Sequence, residues 1–344
     1  MSLDRIRLAS LHDKVISAEE ASAFIEDGMT VGMSGFTRAG EAKAVPLALV
    51  KRAHTNPLKI TLITGASLGN DLDKQLTEAG VLARRLPFQV DNTLRKAINN
   101  GEVMFIDQHL SETVEQMRNL QLKKPDVAII EAVAITEDGG IIPTTSVGNS
   151  ASFAIFAEKV IVEINTNLSP AFEGLHDIYI PTYRPTRQPI PLTQVDERIG
   201  THAINIDPAK IVGIVINNDL HDSPSTVTAP DDETQGIADH LIAFFEKEVA
   251  EERLPKNLGP LQAGIGSIAN AVLTGLKDSN FEDLVMYSEV LQDCTFELID
   301  AGKMKFASGS SITLSAKYGE KVFNNLEAYK DKVVLRPQVI SNLP

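Results

Sequence analysis

The sequence predicts an α/β fold arranged as two successive domains, and three observations support this. Apolar runs of strand length alternate with helical stretches along most of the chain, which is typical of a largely parallel sheet. A chain of 344 residues with 43% hydrophobic content can bury a sizeable core, and its length favours two domains over one. A polar segment, 221–232 (HDSPSTVTAPDD), has the composition of a linker.

The first helix has clear start and stop signals. Ser17 is the expected N-cap and Glu20 completes a capping box, while Gly28 is expected to stop the helix. The first strand should follow at once. The predicted strands of the first domain are Met29–Ser34, Lys59–Thr64, Val103–Asp107, Val127–Ile135, Lys159–Asn165 and Lys210–Ile216.

The predicted domains are 1–225 and 226–344. The second begins with an amphipathic helix, Glu233–Arg253, which Pro255 ends. A second strand-turn-helix series then starts at Leu261, so the two α/β units are candidates for distant structural copies.

Composition limits the functional class. A formal net charge of −14 argues against nucleic acid or an anionic membrane as the main partner, because both require a basic face. An anionic ligand remains compatible, since backbone amides and helix N-termini act locally. No run approaches the roughly 20 apolar residues of a membrane span, and the single cysteine, Cys294, fits a reducing compartment. We therefore expect a cytoplasmic protein.

The most informative local pattern joins a glycine turn to a glutamate. Gly264-Ile265-Gly266 precedes an expected helix, and Glu289 follows an expected strand. A carboxylate can attack an activated acyl group, and turn N–H groups can hold the resulting oxyanion. Two alternatives stay open for this pattern. It also fits a dinucleotide-binding fingerprint with Glu289 as the ribose-binding acid, and it fits an ordinary tight turn with a carboxylate that caps a helix.

Two loops of the first domain are candidate ligand sites. Ser34-Gly35-Phe36 and Thr64-Gly65-Ala66-Ser67 each follow a predicted strand and should meet at the carboxyl edge of the sheet, where such folds bind ligands. Each also fits a simple strand-to-helix turn. The small polar run 143–150 either hydrogen-bonds a ligand or caps the next helix.

Other reactive residues carry weaker signals. The seven histidines lack the paired spacing of a zinc site, so we assign no metal. Asp293 is a candidate second carboxylate beside Glu289 if a helix starts near Val290. Cys294 has no histidine nearby in sequence and is expected to be a packing residue.

Motifs along the whole chain resemble the acetyl-CoA hydrolase/transferase family of class I coenzyme A (CoA) transferases. In the first half they are Ser34-Gly35-Phe36-Thr37, Thr64-Gly65-Ala66-Ser67, Asp107-Gln108-His109-Leu110-Ser111, Ile129-Ile130-Glu131-Ala132 and Ile135-Thr136-Glu137-Asp138-Gly139-Gly140. They continue with Ser146-Val147-Gly148-Asn149-Ser150, Val160-Ile161-Val162-Glu163-Ile164-Asn165, Glu173-Gly174-Leu175-His176-Asp177-Ile178, Tyr287-Ser288-Glu289-Val290-Leu291-Gln292-Asp293 and Leu335-Arg336-Pro337-Gln338.

The resemblance implies a site and a reaction. It implies that Glu289 is the nucleophile of a cycle through a glutamyl anhydride and a glutamyl-CoA thioester. In such a cycle we expect the N–H of Ile265, in the glycine turn, to be one oxyanion donor. A CoA thioester is then a substrate, no cofactor is needed, and the second substrate is a small carboxylate. The residues expected to bind substrate or CoA are Gly264, Gly266, Asn270, Gly35, Phe36, Gly65 and Ser67.

The resemblance also implies the architecture and a subgroup. We expect two CoA-transferase-type (NagB/RpiA-like) domains in a homodimer or higher homo-oligomer, the second domain incomplete because family chains continue past Pro344. Within the family, Ala229-Pro230-Asp231 and the run 146–150 are most similar to succinyl-CoA:acetate transferases, and acetyl-CoA hydrolase is the same-site alternative. A more distant alternative is an inactive binding or assembly module. Val90, where several relatives carry threonine, and Val339, where a glutamate is common, depart from the family pattern.

Overall fold

The computed structural model describes residues 3–226 and 231–343. The helices are α1 (Ala18–Ser22), α2 (Ala44–Ala53), α3 (Leu72–Glu78), α4 (Asn92–Asn99), α5 (Glu112–Arg118), α6 (Ser150–Phe156), α7 (Asp232–Ala250), α8 (Ser267–Asp278), α9 (Asp293–Asp300), α10 (Ala316–Phe323) and α11 (Gln338–Ser341). Short 3₁₀ turns occur at Leu3–Arg5, Ala9–Lys14, Pro170–Phe172, Pro208–Lys210 and Leu326–Ala328.

The strands confirm the predicted α/β class. They are β1 (Thr30–Met33), β2 (Ile60–Ile63), β3 (Leu82–Leu86), β4 (Met104–Phe105), β5 (Val127–Ile135), β6 (Ile141–Pro143), β7 (Lys159–Asn165), β8 (Ile211–Asn217), β9 (Pro260–Leu261), β10 (Leu284–Tyr287), β11 (Val290–Leu291), β12 (Met304–Gly309), β13 (Ser311–Ile312) and β14 (Val333–Leu335).

The chain forms two compact units. Unit 1 comprises Met1–Ile190, Gly200–Ser223 and Arg336–Pro344, and unit 2 comprises Pro191–Ile199 and Pro224–Leu335. The chain passes from unit 1 to unit 2 near residue 223, close to the linker expected from composition. Two segments depart from this simple order: 191–199 belongs to unit 2, and 336–344 belongs to unit 1. The domain limits 1–225 and 226–344 stay a prediction.

Unit 1 is built on a sheet in the order β4-β3-β2-β1-β5-β7-β8, with β6 paired to β5. The pairings are parallel except for β5–β6, which is antiparallel. All nine residues of β5 are buried, as expected for a central strand covered on both faces. The carboxyl ends of β1, β2, β5 and β7 therefore meet at one edge and place the loops that follow them there.

Unit 2 contains a four-stranded parallel sheet in the order β14-β12-β10-β9 and a parallel pair, β11 with β13. Helix α7 begins with a capping box formed by Asp231 and Thr234. Helix α8 follows β9, and α9 follows the segment that carries Glu289. Within the described residues, no helix has both the length and the apolar character needed to cross a membrane.

Two local predictions differ from the structure. The Ser17–Glu20 capping box is present, but α1 ends at Ser22 because Phe24 and Ile25 form the tighter i→i−3 bonds to Ala21 and Ser22. Strand β3 was not predicted, because its sequence, LARRL, places two arginines within it. Arg85 is nevertheless buried there, with its Nε 2.8 Å from Asp73 Oδ1.

Candidate active site

Glu289 lies on a short bend between two strands of unit 2. Strand β10 ends at Tyr287 and β11 begins at Val290, so Ser288 and Glu289 connect them. The Glu289 carbonyl oxygen accepts hydrogen bonds from the N–H of Ser310 at 2.7 Å and of Ser311 at 3.3 Å. Its side chain is half-buried. The backbone at this position is therefore fixed, and the residue is only partly buried.

The glycine turn lies beside this bend, because β9 and β10 are parallel neighbours. Ser288 Oγ donates to the carbonyl of Ala263 at 3.1 Å and accepts from its N–H at 3.4 Å. Gln292 Nε2 donates to the carbonyl of Gly264 at 3.1 Å. These bonds hold the loop 263–266 against the residues on both sides of Glu289. The fold thus brings the bend that carries Glu289 beside the glycine turn, and their joint role as a site stays a prediction.

The turn itself can act as an oxyanion donor. Gly266 has φ +146°, a conformation essentially reserved for glycine, and it immediately precedes α8. Within residues 3–226 and 231–343, the N–H of Ile265 donates no hydrogen bond, and its side chain is 64% exposed. An unpaired N–H beside a helix N-terminus suits a developing negative charge. Asn270, whose Oδ1 lies 3.6 Å from Cys294 Sγ, belongs to the first turn of α8.

A cavity of about 540 Å³ opens at this turn, lined by Phe245, Leu261–Ala269, Val272, Leu273 and Leu276. Gly264 and Gly266 border it, and a Cβ added at either would meet no other atom within 4 Å. Internal packing therefore requires neither glycine, whereas the backbone conformation at Gly266 favours glycine. The size suits a small-molecule group.

Asp293 and Cys294 have structural partners. Asp293 starts α9 and accepts hydrogen bonds from Ser315, through its N–H at 2.9 Å and its hydroxyl at 2.5 Å. These contacts join the starts of α9 and α10 and give Asp293 a structural role. Cys294 is buried, and burial raises the pKa of its thiol to about 12, which fits the packing role expected for it.

The predicted first-domain binding residues form a second loop cluster, within unit 1. Gly35 has φ +127°, and a Cβ there would lie 2.8 Å from Leu68 Cδ2. Gly65 donates its N–H to the Gly35 carbonyl at 3.0 Å, and Phe36 is fully buried. Ser67 is buried, and its carbonyl accepts from Arg38. The two loops thus interlock at the carboxyl edge of β1 and β2, and their role in binding stays a prediction.

A buried lysine cluster, made of Lys43, Glu41, Glu131 and Asp222, lies at the same edge of unit 1. Lys43 Nζ is 2.5 Å from Glu131 Oε2 and 2.7 Å from Asp222 Oδ1, and it donates to the Glu41 carbonyl at 2.7 Å. Asp222 also accepts from the Thr145 hydroxyl at 2.8 Å. The cluster joins loops that follow β1, β6 and β8.

Burial and repulsion from neighbouring acids raise the pKa values of the two glutamates in this cluster. Burial, reinforced by Asp222, raises the pKa of Glu41 to about 8, and burial raises the pKa of Glu131 to about 7. Burial opposes the charged form of Lys43, but the attraction of Asp222, Glu131 and Glu41 outweighs it and raises the lysine pKa well above its usual value. Lys43 is thus held in its charged form, while burial favours the neutral form of the two glutamates beside it.

One sequence signal could have revealed this cluster. Glu131 and Glu163 interrupt apolar runs in β5 and β7, where they are register partners. A carboxylate inside such a run implies a buried partner. Glu163 is the acceptor at the start of α2, where the N–H groups of Lys43, Ala44 and Val45 bind it at 2.8, 3.0 and 3.1 Å. Nothing in the local pattern indicates which basic residue would meet Glu131.

The run 143–150 supplies further polar atoms. Among the described residues, both side-chain amide atoms of Asn149, the hydroxyl of Ser150 and Oε1 of Gln338 are buried without a hydrogen-bond partner. Gln338 is tied to this run by its N–H, which donates to Gly148 at 2.9 Å. Ala229 and Pro230, which carry part of the expected family likeness, lie outside the described residues.

Comparisons with known proteins agree with the family resemblance. The family model described as "Acetyl-CoA hydrolase/transferase N-terminal domain" matches residues 2–216. The chain is 45% identical over 342 residues to a succinyl-CoA:acetate CoA-transferase from Clostridium kluyveri, covering 99% of this chain and 63% of that protein. It is 43% identical over 351 residues to an acetyl-CoA hydrolase from Schizosaccharomyces pombe, covering 99% and 67%. The chain thus spans about two thirds of these relatives.

Solved structures with the same fold are much more distant in sequence. RipA from Yersinia pestis superposes with a TM-score of 0.70 at 17% identity, covering 96% of this chain and 70% of that one. A 4-hydroxybutyrate CoA-transferase from Porphyromonas gingivalis gives a TM-score of 0.61 at 17% identity, with 96% and 69% coverage. At this identity the likeness establishes the fold.

Proposed function

The chain belongs to the acetyl-CoA hydrolase/transferase family, and we propose that it moves CoA from an acyl-CoA to a small carboxylate through Glu289. Succinyl-CoA or acetyl-CoA is the proposed donor and acetate the proposed acceptor. The observation that supports this most is the hydrogen-bonded contact between the Glu289 bend and the glycine turn, which leaves the Ile265 N–H unpaired.

In the first half of the reaction the Glu289 carboxylate attacks the thioester carbonyl. The carbonyl becomes an oxyanion, which accepts a hydrogen bond from the Ile265 N–H. Collapse breaks the carbon–sulfur bond, releases CoA as the thiolate and leaves an acyl-glutamyl anhydride. The thiolate then attacks the glutamyl carbonyl of that anhydride, so the donor acid leaves as a carboxylate and Glu289 carries CoA as a thioester. The acceptor carboxylate repeats these steps in reverse and regenerates Glu289.

This chemistry places two demands on the protein. Carboxylates are weak nucleophiles, so orientation must lower the barrier, and well-oriented groups gain up to roughly 7 to 11 kcal/mol in this way. Binding of the distant nucleotide part of CoA can be used to position the thioester. Water must be kept from the anhydride, because otherwise the same site hydrolyses it. No cofactor or metal is needed in this cycle.

The deciding experiment is peptide mass spectrometry after incubation with acetyl-CoA or succinyl-CoA. We expect CoA on the peptide that contains Glu289, and no adduct in Glu289→Gln. Glu282→Gln is the matched control, because Glu282 is an exposed carboxylate of the same unit and should leave the adduct intact. A folded wild-type chain without an adduct would contradict the proposal for this chain.

Acetyl-CoA hydrolase is the second candidate, favoured by relatives with that name at 40–43% identity. Free CoA released from acetyl-CoA at the same rate with and without acetate would support hydrolysis, whereas formation of acetyl-CoA from succinyl-CoA and acetate without free CoA supports transfer. The dinucleotide alternative keeps its structural context, because the glycine turn does join a strand to a helix and Glu289 does follow the next strand. NADH binding would support it.

We also propose a cytoplasmic homo-oligomer. The single cysteine, which is buried, is compatible with a reducing compartment. Soluble enzymes are commonly symmetric homo-oligomers, and dimers are the most frequent form. Light scattering of the purified chain would test the oligomer directly, and a monomer at every concentration would contradict it.

A further inference from the structure

A group of basic and aromatic side chains, here called the amino-edge cluster, lies at the amino edge of the unit 1 sheet. Its members are Arg118, Lys124, Phe156, Tyr183 and Arg187. Arg118 ends α5 and Lys124 lies shortly before β5, while Phe156 ends α6 shortly before β7. Because β5 and β7 are parallel neighbours, these positions meet at the edge where both strands begin. The predicted substrate loops follow β1 and β2 at the opposite edge, so the cluster is separate from them.

Two aromatic rings hold two of the cations in place. The guanidinium carbon of Arg118 lies 5.7 Å from the centre of the Tyr183 ring, and Lys124 Nζ lies 6.0 Å from the same centre. Lys124 Nζ is also 5.2 Å from the centre of the Phe156 ring, and the two ring centres are 6.4 Å apart. Aromatic faces attract positive charge, so Tyr183 connects the two cations.

The cluster carries a net positive charge within a chain of net charge −14. Glu115 Oε1 lies 2.5 Å from Arg118 Nη1 and 2.8 Å from Arg187 Nη1. In the part of the chain that the structure describes, no other carboxylate forms an ion pair with either arginine or with Lys124. One carboxylate is therefore shared between two arginines, and the lysine beside them adds a third positive charge.

The guanidinium of Arg118 leaves two donors unused. Among the described residues, its Nε and Nη2 have no hydrogen-bond partner, although both are buried and the residue is only 5% exposed. These two N–H groups point the same way and form the fork that binds two oxygens of one oxyanion. The equivalent fork of Arg85 is filled in the same unit, with Nε 2.8 Å from Asp73 Oδ1 and Nη2 3.3 Å from Oδ2. A buried charged donor without an acceptor is costly.

The charge of Arg118 is incompletely compensated by its surroundings. Burial lowers the pKa of its guanidinium, the attraction of Glu115 opposes this, and the repulsion of Arg187 adds to it. A ligand with negative charge and several acceptor oxygens would satisfy the fork and offset the repulsion between the arginines. A phosphate monoester does both, because it carries about −1.5 to −2 charge at pH 7 and three acceptor oxygens. Two of these oxygens suit the fork, and the third is available to the second arginine.

We propose that the amino-edge cluster binds a phosphate group, which accepts from the Nε–Nη2 fork of Arg118 and from Arg187, while Lys124 supplies further positive charge. Tyr183 lies over the guanidinium and is itself 47% exposed. Its ring moves aside to admit the phosphate. Inorganic phosphate and the phosphate of a nucleotide share this chemistry, and binding of either is independent of the reaction proposed for Glu289.

The test is isothermal titration calorimetry of the whole chain with inorganic phosphate and, separately, with adenosine monophosphate. Ionic strength is held constant with sodium chloride, so that a general response to salt does not register. We expect saturable binding at a single site. Equal affinity for the two probes would identify free phosphate as the ligand, and tighter binding of the nucleotide would identify a nucleotide. Absence of saturable binding for both probes would overturn the proposal.

Variants locate the binding. Arg118→Lys keeps the charge but removes the fork, and Arg187→Gln removes the second guanidinium. Each should weaken binding by about tenfold or more, because hydrogen bonds to a charged group are lost. Arg95→Gln, which removes one exposed charge from α4 of the same unit, is the matched control and should bind normally.

Wild-type affinity in folded Arg187→Gln would overturn the proposal, because the probe would then occupy another site. Circular dichroism checks the fold of each variant. The Arg187 side chain is 16% exposed, against 2% for Arg118, so Arg187→Gln gives a result even where Arg118→Lys does not fold. No acyl-CoA is present in these titrations, so their failure would leave the proposed transfer reaction untouched.

Discussion

At the scale of single residues, the role proposed for Glu289 depends on the position of its carboxylate as well as on its charge. The backbone around it is fixed by the bonds from Ser310, Ser311 and Ser288. Glu289→Asp keeps the charge but withdraws the carboxylate by one methylene group. A misplacement of about 1 Å can cost roughly a hundredfold in rate. We therefore expect Glu289→Asp to form the CoA adduct about a hundredfold more slowly, measured by quenched-flow mass spectrometry. Adduct formation at the wild-type rate would show that this geometry is not limiting.

The buried lysine cluster makes the stability of unit 1 depend on pH. Because burial raises the pKa of Glu41 to about 8 and of Glu131 to about 7, the folded state binds more protons than the unfolded state between about pH 4.5 and about pH 8. Stability from these groups is present at low pH and is lost as pH rises through their folded pKa values. We expect the urea midpoint of unit 1 to fall between pH 5 and 9. Glu41→Gln should flatten that fall, and exposed Glu78→Gln should not.

These two groups of residues show what sequence can predict about a site. The turn Gly264–Gly266 and Glu289 could be predicted as neighbours from sequence. Each follows a strand, and two parallel neighbouring strands have their carboxyl ends at the same edge of the sheet. Lys43, Glu131 and Asp222 are separated by 88 and by 91 positions, counted as 131 − 43 and 222 − 131. Only the packed sheet of unit 1 brings them into contact, so no local pattern specifies the pairing.

At the scale of elements, the turn before α8 depends on the conformation of one glycine. Gly266 has φ +146°, whereas Gly264 is not in the positive-φ region and has no atom within 4 Å of an added Cβ. Gly266→Ala should therefore lower the free energy of unfolding by about 1 to 3 kcal/mol, measured by urea denaturation. Gly264→Ala should cost clearly less. Equal losses would mean that space, and not the backbone conformation, determines the choice of glycine here.

Asp293 links helices α9 and α10 of unit 2, and its removal should destabilise the starts of both. Asp293→Ala leaves the N–H and hydroxyl of Ser315 without their acceptor at a site that is only 8% exposed. Loss of these bonds should destabilise unit 2 by about 1 to 3 kcal/mol. Hydrogen exchange should show faster opening at the starts of both α9 and α10. The exposed control Asp283→Asn should show neither change.

The predictability of the elements follows from their burial and capping. Strands β5 and β7 occur at their predicted bounds because long apolar runs specify buried parallel strands. The predicted strand 103–107 is reduced to Met104 and Phe105, because it lies at the outer edge of the sheet and pairs with β3 alone among the described strands. Edge pairing depends on the neighbouring strand, which the local sequence does not encode.

At the scale of the whole molecule, the two units should differ in stability. Unit 1 has a central strand, β5, that is buried along all nine residues between β1 and β7. In unit 2 the first strand is an edge, and α7 buries only Thr234 and Ala238 along its length. Fewer buried apolar groups and more solvent-facing backbone lower the free energy of local opening.

We therefore expect unit 2 to open at lower urea than unit 1. In native-state hydrogen exchange, amides of β10 should lose protection before those of β5, with a smaller dependence on denaturant because less surface is exposed. If β5 and β10 exchanged together with one denaturant dependence, the chain would unfold as a single cooperative unit, and the open β9 edge would not be its weak point.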